Sequence, residues 1–272
     1  MALRTEMQDI KFCIPSYNRP IKVATTTLRL LIQKFNIPED NITLLLEDEQ
    51  QHDLYVKCLK DYPDIKYELK KSEGIGDLRS YIRTFYPVGT KVVMMDDDTY
   101  SVIEMRNDIE PFDKKNNKIY TMNEDDFKSW MKEAFERLEN GKGKNFGIVL
   151  FDNPYYMTRS VSNNFRYVCG NIVGFIRQEE EPSVSIAHGE DFEFSIKLFK
   201  RDKELIRYNY ISVKTKHYAE GGICDTYGGE DEREVKAKEN LQYLVDTYKG
   251  AFSLYKKKNG KYNLRCNAKL KI

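Results

Sequence analysis

Short apolar runs alternate with segments of helical periodicity over the first hundred residues. Apolar runs occupy 10–15 (IKFCIP), 42–46, 65–69 and 92–95, whereas 21–35 carries apolar side chains at helical spacing. A strand-loop-helix repeat of this kind predicts a single α/β domain, in which a mostly parallel sheet has helices on both faces. In such sheets ligands bind beyond the carboxyl ends of the strands.

The second half of the chain continues with helix and strand signals in a less regular order. Its predicted helices and strands are a polar helix over 125–139, strands over 146–151, 167–176 and 206–213, and helices over 192–199 and 230–248. After Asp246 no acidic residue occurs, whereas lysines and arginines recur to the end. We therefore expect one domain over 1–248 and a basic C-terminal extension over 249–272.

Three consecutive aspartates, Asp96, Asp97 and Asp98, follow the apolar run at 92–95. Adjacent carboxylates repel one another and are costly to desolvate unless a cation offsets them. Alternate residues of an extended segment point the same way, so Asp96 and Asp98 are the predicted ligands of Mg²⁺ or Mn²⁺, with Asp97 turned away. The alternative is that Asp98 or Thr99 caps a following helix.

Two later segments also carry candidate groups. Glu190 and Asp191 precede a helical segment, and a carboxylate at the start of a helix is stabilised by the helix dipole. Either this is their only role, or Asp191 also acts as a general base that takes a proton from an acceptor hydroxyl. His217 follows the strand predicted over 206–213. A lone histidine is more often structural, but beside an aspartate metal site it is the natural nitrogen ligand.

A glycine-rich loop, Gly74-Ile75-Gly76-Asp77-Leu78-Arg79, opens the helix predicted over 77–85, with Asp77 as its cap. The third glycine of a dinucleotide-binding fingerprint is missing, because Arg79 occupies its position, and this excludes a Rossmann dinucleotide site. Arg79 is suited to bracing the acidic cluster or binding phosphates. The alternative is an ordinary surface arginine.

The order of these pieces resembles GT-A fold glycosyltransferases over about residues 10–218: the loop 14–20 (IPSYNRP), Gly74 to Arg79, the aspartate triplet, a Glu-Asp pair and a later histidine. The resemblance implies a Rossmann-like sheet, a UDP-sugar donor and an inverting reaction with Asp191 as base. It implies a D-x-D metal site of Asp96 and Asp98, completed by His217. The donor-binding residues it implies are Pro15, Ser16, Tyr17, Asn18, Arg19, Asp48, Gly74, Arg79 and Asp97.

A closer resemblance is to the glycosyltransferases that accompany TET-like and J-binding-protein hydroxylases, including base J glucosyltransferase and bacteriophage hydroxymethylpyrimidine glycosyltransferases. The similar segments are 14–19, 96–98, 167–174 (YVCGNIVG) and 188–191. This resemblance implies that the acceptor is a hydroxymethylpyrimidine in DNA. The acceptor-binding residues we expect are Tyr155, Tyr156, Asn171, His188 and Glu190. The alternatives are a polysaccharide, lipid-linked sugar or protein acceptor, a nucleotidyltransferase, or a DNA-binding module without activity.

Composition limits partners and compartment. The net charge is +1, from 44 basic and 43 acidic residues, so any affinity for nucleic acid must come from local patches. Five scattered cysteines suggest neither a disulfide framework nor a structural zinc site, and the N-terminus lacks an apolar leader segment. We expect a cytoplasmic protein, in the host cytoplasm if the source is viral, with no membrane partner.

Overall fold

Strands and helices alternate along the chain. The computed structural model describes residues 7–107, 114–150, 152–186, 188–215, 230–258 and 260–271. The strands are β1 (Ile10–Pro15), β2 (Ile42–Leu46), β3 (Lys66–Leu69), β4 (Lys91–Met95), β5 (Thr99–Asn107), β6 (Asn117–Thr121), β7 (Asn145–Ile148), β8 (Val161–Ser162), β9 (Cys169–Ile176), β10 (Ile206–Tyr208), β11 (Ile211–Thr215), β12 (Phe252–Lys256) and β13 (Tyr262–Cys266). The helices are α1 (Pro20–Val23), continued by a π-helical stretch (Ala24–Lys34), α2 (Glu49–Cys58), α3 (Ile75–Phe85), α4 (Glu124–Asn140), α5 (Glu190–Asp202) and α6 (Glu230–Thr247). Within the described residues, no helix is both long and apolar enough to cross a membrane.

The central sheet has eight strands in the order β3-β2-β1-β4-β9-β7-β10-β8. Strands β3, β2, β1 and β4 are parallel, whereas β9 runs antiparallel to both β4 and β7. Along β1, Phe12 and Ile14 are buried in one apolar core, and Cys13 between them is buried in a second core on the other face. Because both faces are buried, this sheet has the α/β layering that the sequence predicts.

One predicted strand is in fact two. The sequence over 206–213 divides into β10, in the large sheet, and β11, in a three-stranded sheet of order β11-β5-β6. The turn between them is anchored in both directions: the Asn209 N–H donates to the Ser160 carbonyl at 3.0 Å, and the Met105 N–H donates to the Tyr210 carbonyl at 2.8 Å. Strand β5 of this second sheet begins at Thr99, directly after the three aspartates at 96–98.

Helix α3 starts at the glycine-rich loop, but its cap differs from the prediction. Gly74, not Asp77, is the N-cap, and its φ of 137° and ψ of −178° are accessible only to glycine. Asp77 lies in the first turn, where its Oδ2 accepts from the Glu73 N–H at 3.4 Å. A sharp turn at Gly74 therefore sets the start of the helix that carries Arg79.

The basic C-terminal segment forms an ordered hairpin, β12–β13. Phe252 and Leu264 on its inner face are buried against Leu241 and Leu244 of α6, in the second apolar core. Arg265, on the opposite face of β13, and Lys256, near the turn, are exposed. The hairpin thus places its cations on the protein surface through apolar contacts on its other side.

Candidate active site

The aspartate triplet lies at the edge of the sheet where the loops were expected to converge. Parallel β1 and β4 end together there, and antiparallel β9 begins there, so that the Asp96 N–H donates to the Asn171 carbonyl at 3.1 Å. Strand β5 follows the triplet at Thr99. The alternative that Asp98 or Thr99 caps a helix is therefore wrong, because no helix begins at that point.

Arg79 is the centre of this edge. Its side chain is only 6% exposed, so it is not a surface arginine. The guanidinium donates to Asp96 Oδ1 at 2.9 Å, to Glu190 Oε1 at 2.8 Å and to Asp191 Oδ1. Burial lowers the pKa of Arg79, but the three carboxylates outweigh burial and raise this pKa well above its ordinary value. One permanently charged group thus holds three carboxylates together.

The two carboxylates on either side of Arg79 have further donors. Asn171 Nδ2 donates to Asp96 Oδ2 at 2.8 Å, so both oxygens of Asp96 are engaged. The Gly170 N–H, at 3.0 Å, and the Tyr167 hydroxyl, at 3.2 Å, donate to Asp191 Oδ2. Burial raises the pKa of Asp96 to about 6, although Arg79 opposes this shift. The donors on Arg79, Gly170 and Tyr167 fix the Asp191 carboxylate in one orientation at the start of α5.

Gly170 is required by the close approach of these groups. A Cβ on this residue would overlap the Arg79 guanidinium and the Asp191 carboxylate. Tyr167 and Gly170 lie in the segment 167–174 whose resemblance is noted from the sequence, but their contacts with Asp191 were not predicted. Their role depends on the pairing of β9 beside β4, a long-range contact that no local pattern reveals.

The loop after β1 supplies a second group of contacts. Ser16 Oγ donates to Asp97 Oδ2 at 2.6 Å and lies 2.7 Å from the Tyr55 hydroxyl, while Arg19 Nη1 donates to Asp97 Oδ1 at 3.2 Å. Burial raises the pKa of Asp97, and the bonds from Ser16 and Arg19 oppose this shift. Ser16, Arg19 and Asp97, three residues predicted to bind the donor, therefore lie together, and Tyr55, which the sequence did not suggest, is in contact with Ser16.

The remaining predicted donor-binding residues shape this loop. Pro15 is the last residue of β1, and Tyr17 after it is 39% exposed. Asn18 has a φ of 58°, a left-handed conformation that asparagine tolerates, and its N–H donates to Gln51 Oε1 at 2.9 Å. Asp48 caps α2 by accepting from the Gln51 N–H at 2.9 Å. One oxygen of Asp48 is thus used by the helix.

The predicted aspartate ligands, Asp96 and Asp98, are not equally available to bind a cation. Asp96 has both oxygens hydrogen-bonded, whereas the Asp98 carboxylate has Lys22 Nζ at 3.6 Å. Among the described residues, no three His, Cys, Asp or Glu side chains are grouped to hold a metal ion. His217, the predicted third ligand, lies outside the described residues. Of the two predicted aspartate ligands, Asp98 therefore has the carboxylate better suited to a hard cation.

Tyr155 and Tyr156 are not part of the carboxylate cluster. They are 64% and 61% exposed, and their turn is attached to β6, where Asn117 Nδ2 donates to the Pro154 carbonyl at 3.2 Å. Asn117 pairs with Asn107 at the far end of β5, about 30 Å of extended chain from the triplet. These contacts attach the two tyrosines to the second sheet, and their binding of the acceptor stays a prediction.

The other three predicted acceptor residues do lie near the cluster, with different contacts from those expected. Asn171 binds Asp96, and Glu190 binds Arg79. His188 lies in the turn before α5, next to Gly189, which caps the helix with a φ of 78°. Asn171 and Glu190 are thus occupied in holding the cluster together.

Glu190 makes stability depend on pH. Burial, and then the negative charge of Asp191, raise the pKa of Glu190 to about 7. A raised pKa in the folded state stabilises the fold at low pH, and this stabilisation is lost as pH rises through about 7. We expect the wild-type free energy of unfolding to fall by about 2 kcal/mol more between about pH 5 and pH 8 than that of Glu190→Gln. Urea denaturation of both proteins measures this, and parallel pH profiles would contradict it.

The comparisons with known proteins find structural likeness only. No family model matches the sequence, and no curated protein has significant sequence similarity to it. The structure of residues 1–349 of S. aureus TarS in complex with UDP-GlcNAc superposes with a TM-score of 0.55 and 12% identity, covering 87% of this chain and 65% of that one. This chain therefore spans less than two thirds of that TarS chain.

Two other solved structures give lower scores. The mannosyltransferase PcManGT from Pyrobaculum calidifontis, in complex with GDP-Man and Mn²⁺, has a TM-score of 0.48 at 13% identity, covering 88% of this chain and 64% of that one. GalNAc-T7 with UDP, GalNAc and Mn²⁺ has a TM-score of 0.49 at 12% identity, covering 88% and 48%. Because both scores are below 0.5, the fold is assigned from the strand order and from the TarS superposition alone. The chain has a GT-A-like α/β fold, with the aspartate triplet at the carboxyl end of β4, one of the parallel strands of its sheet.

Proposed function

We propose that this protein is an inverting glycosyltransferase that uses a nucleotide-sugar donor, a UDP-sugar, and transfers its hexose or pentose. The observation that carries the proposal is the cluster of Asp96, Glu190 and Asp191 around buried Arg79, at the carboxyl edge of a GT-A-like sheet. A structural ion-pair network would not need to lie at this edge. Nucleotide ligands bind in α/β folds at that position.

Donor binding is assigned to the loop after β1 and to Asp98. Ser16 and Arg19 donate to Asp97, so hydrogen bonds join the loop after β1 directly to the triplet. Asp98, with His217, is the proposed holder of Mn²⁺ or Mg²⁺. When bound, such an ion neutralises negative charge on the departing diphosphate.

The transfer step follows from the position of Asp191. The acceptor hydroxyl oxygen forms a bond to the anomeric carbon of the donor, and the bond from that carbon to the diphosphate oxygen breaks. The diphosphate leaves with the bonding electrons, and Asp191 takes the hydroxyl proton. Arg79, Tyr167 and Gly170 orient the Asp191 carboxylate for this role.

The donor site is tested by isothermal titration calorimetry with UDP-glucose, UDP-GlcNAc and GDP-mannose, each with and without Mn²⁺. We expect metal-dependent binding of one donor, and a loss of at least about tenfold in its affinity in Asp98→Ala, because a charge-assisted contact contributes roughly 1.5–3 kcal/mol. Asp61→Ala is the matched control, since Asp61 is an exposed aspartate far along the chain from the triplet. Equal affinity in wild type and Asp98→Ala would remove Asp98 from the site.

For the acceptor, the proposal is the hydroxymethyl group of a modified pyrimidine in DNA. Its support is the resemblance of segments 14–19, 96–98, 167–174 and 188–191 to DNA-modifying glycosyltransferases. Mass spectrometry of DNA containing hydroxymethylcytosine or hydroxymethyluracil, after incubation with the bound donor and Mn²⁺, tests it. If sugar were transferred to a polysaccharide, lipid-linked sugar or protein in the same assay and not to DNA, the proposed DNA acceptor would be wrong.

A further inference from the structure

Two arginines beside the proposed active site lack an anionic partner. Arg207 in β10 donates from Nε to Asn209 Oδ1 at 2.8 Å and from Nη1 to the Tyr167 carbonyl at 2.9 Å. Arg166 donates from Nε to Asn164 Oδ1 at 3.2 Å. All three acceptors are neutral, and within the described part of the chain no carboxylate forms an ion pair with either guanidinium.

The two positive charges act on one another. Burial lowers the pKa of Arg207 to about 10, and the nearby charge of Arg166 lowers it in the same direction. Other buried arginines of this protein are compensated: Arg79 has three carboxylates, and Arg83 lies 3.2 Å from Glu181. A partly buried cation without a counter-charge is costly, and Arg166 and Arg207 add the repulsion of two like charges, so this pair is suited to bind an anion supplied from outside.

The arginine pair is linked to the proposed base through one residue. Tyr167 accepts from Arg207 at its carbonyl and donates from its hydroxyl to Asp191 Oδ2 at 3.2 Å. An anion on the arginines would therefore lie about one tyrosine side chain from Asp191.

The C-terminal hairpin closes around the same place. Asn164 Nδ2 donates to the Ala268 carbonyl at 2.9 Å. The thiol of Cys266, the last residue of β13, is close enough to Arg207 and Arg166 for their charges to oppose the burial that raises its pKa to about 12. The C-terminal hairpin thus lies next to both arginines.

We propose that Arg166 and Arg207 bind a phosphate of the acceptor, so that the acceptor is a phosphodiester strand held next to Asp191. Each guanidinium has five N–H donors, and the contacts above use two on Arg207 and one on Arg166. The remaining donors suit the paired hydrogen bonds that arginine makes to phosphate. The proposal rests on the glycosyltransferase function and extends it to the class of acceptor.

The test measures binding of a fluorescein-labelled strand of twelve thymidines by fluorescence anisotropy over a range of salt concentrations, without donor. We expect Arg207→Gln and Arg166→Gln each to weaken binding by about ten- to a hundredfold, the size of one charge-assisted contact. The dependence of log affinity on log salt should also become shallower by about 0.7 per lost phosphate contact. The same strand with neutral methylphosphonate linkages should not distinguish the variants from wild type.

The matched control is Arg29→Gln, which removes one positive charge from an exposed position on the π-helical stretch. Equal weakening by Arg29→Gln and Arg207→Gln, or discrimination that persists with the neutral strand, would overturn the proposal. If thermal unfolding shows that Arg207→Gln is not folded, Arg166→Gln decides alone. Donor calorimetry separates the two hypotheses, because Asp98→Ala should lose donor affinity and keep strand affinity, and Arg207→Gln should do the opposite.

Discussion

Asp191→Asn is expected to lower kcat for sugar transfer by about a hundred- to ten-thousandfold, the usual contribution of a general base. An asparagine side chain cannot take the acceptor proton, although it has the shape of the aspartate. Donor affinity should change little, since Asp191 contacts Arg79, Tyr167 and Gly170 rather than the loop after β1. Steady-state release of UDP, with the donor and acceptor identified by the assays above, measures the effect.

The matched control for this prediction is Glu190→Gln. Glu190 shares Arg79 with Asp191, but the Tyr167 and Gly170 donors are directed to Asp191. We therefore expect a smaller loss of kcat in Glu190→Gln than in Asp191→Asn. If Asp191→Asn turned over at close to the wild-type rate with donor binding intact, or if the order of the two variants were reversed, Asp191 would not be the base.

Much of the fold is predictable from the sequence because its strands are short, apolar and followed by polar loops. The strand predicted over 42–46 has the same bounds as β2, and the strand predicted over 92–95 lacks only Lys91, the first residue of β4. The division of 206–213 was missed, although Asn209 is of a type depleted in strands and the apolar alternation shifts by one residue between Tyr210 and Ile211. Which sheet each half joins depends on contacts with Ser160 and Met105, distant in sequence.

The residue types of the site are easier to predict than their partners. Position at strand ends identifies Ser16, Arg79 and the triplet, because parallel strands bring their carboxyl ends to one edge. The pairing of Arg79 with Glu190 and Asp191 spans more than a hundred residues of sequence, and that of Asn171 with Asp96 depends on β9 lying beside β4. Local patterns contain no information on that register, so Asn171 was assigned to the acceptor instead of to Asp96.

Arg79→Met is expected to cost about 3–5 kcal/mol of unfolding free energy, the range found when one partner of a buried ion pair is removed. Methionine fills a similar volume, but Asp96, Glu190 and Asp191 would lose their common cation while staying largely buried. Urea denaturation at about pH 8, where the carboxylates are charged, measures the loss. The variant should regain stability as the pH is lowered, because protonation removes the repulsion among these carboxylates.

Neutralising one carboxylate tests this account of Arg79→Met. Adding Glu190→Gln to Arg79→Met should restore part of the lost stability, because one unpaired buried charge is removed, whereas Glu190→Gln in the wild type also removes the attraction of Glu190 to Arg79. The double-mutant cycle therefore predicts a coupling free energy in the upper part of the 0.5–3 kcal/mol range, roughly 2 kcal/mol. Additive losses in the two single variants would mean that Arg79 stabilises the fold through packing and not through charge. Arg29→Met, at an exposed position, should change stability by less than about 0.5 kcal/mol and serves as the control for loss of a positive charge.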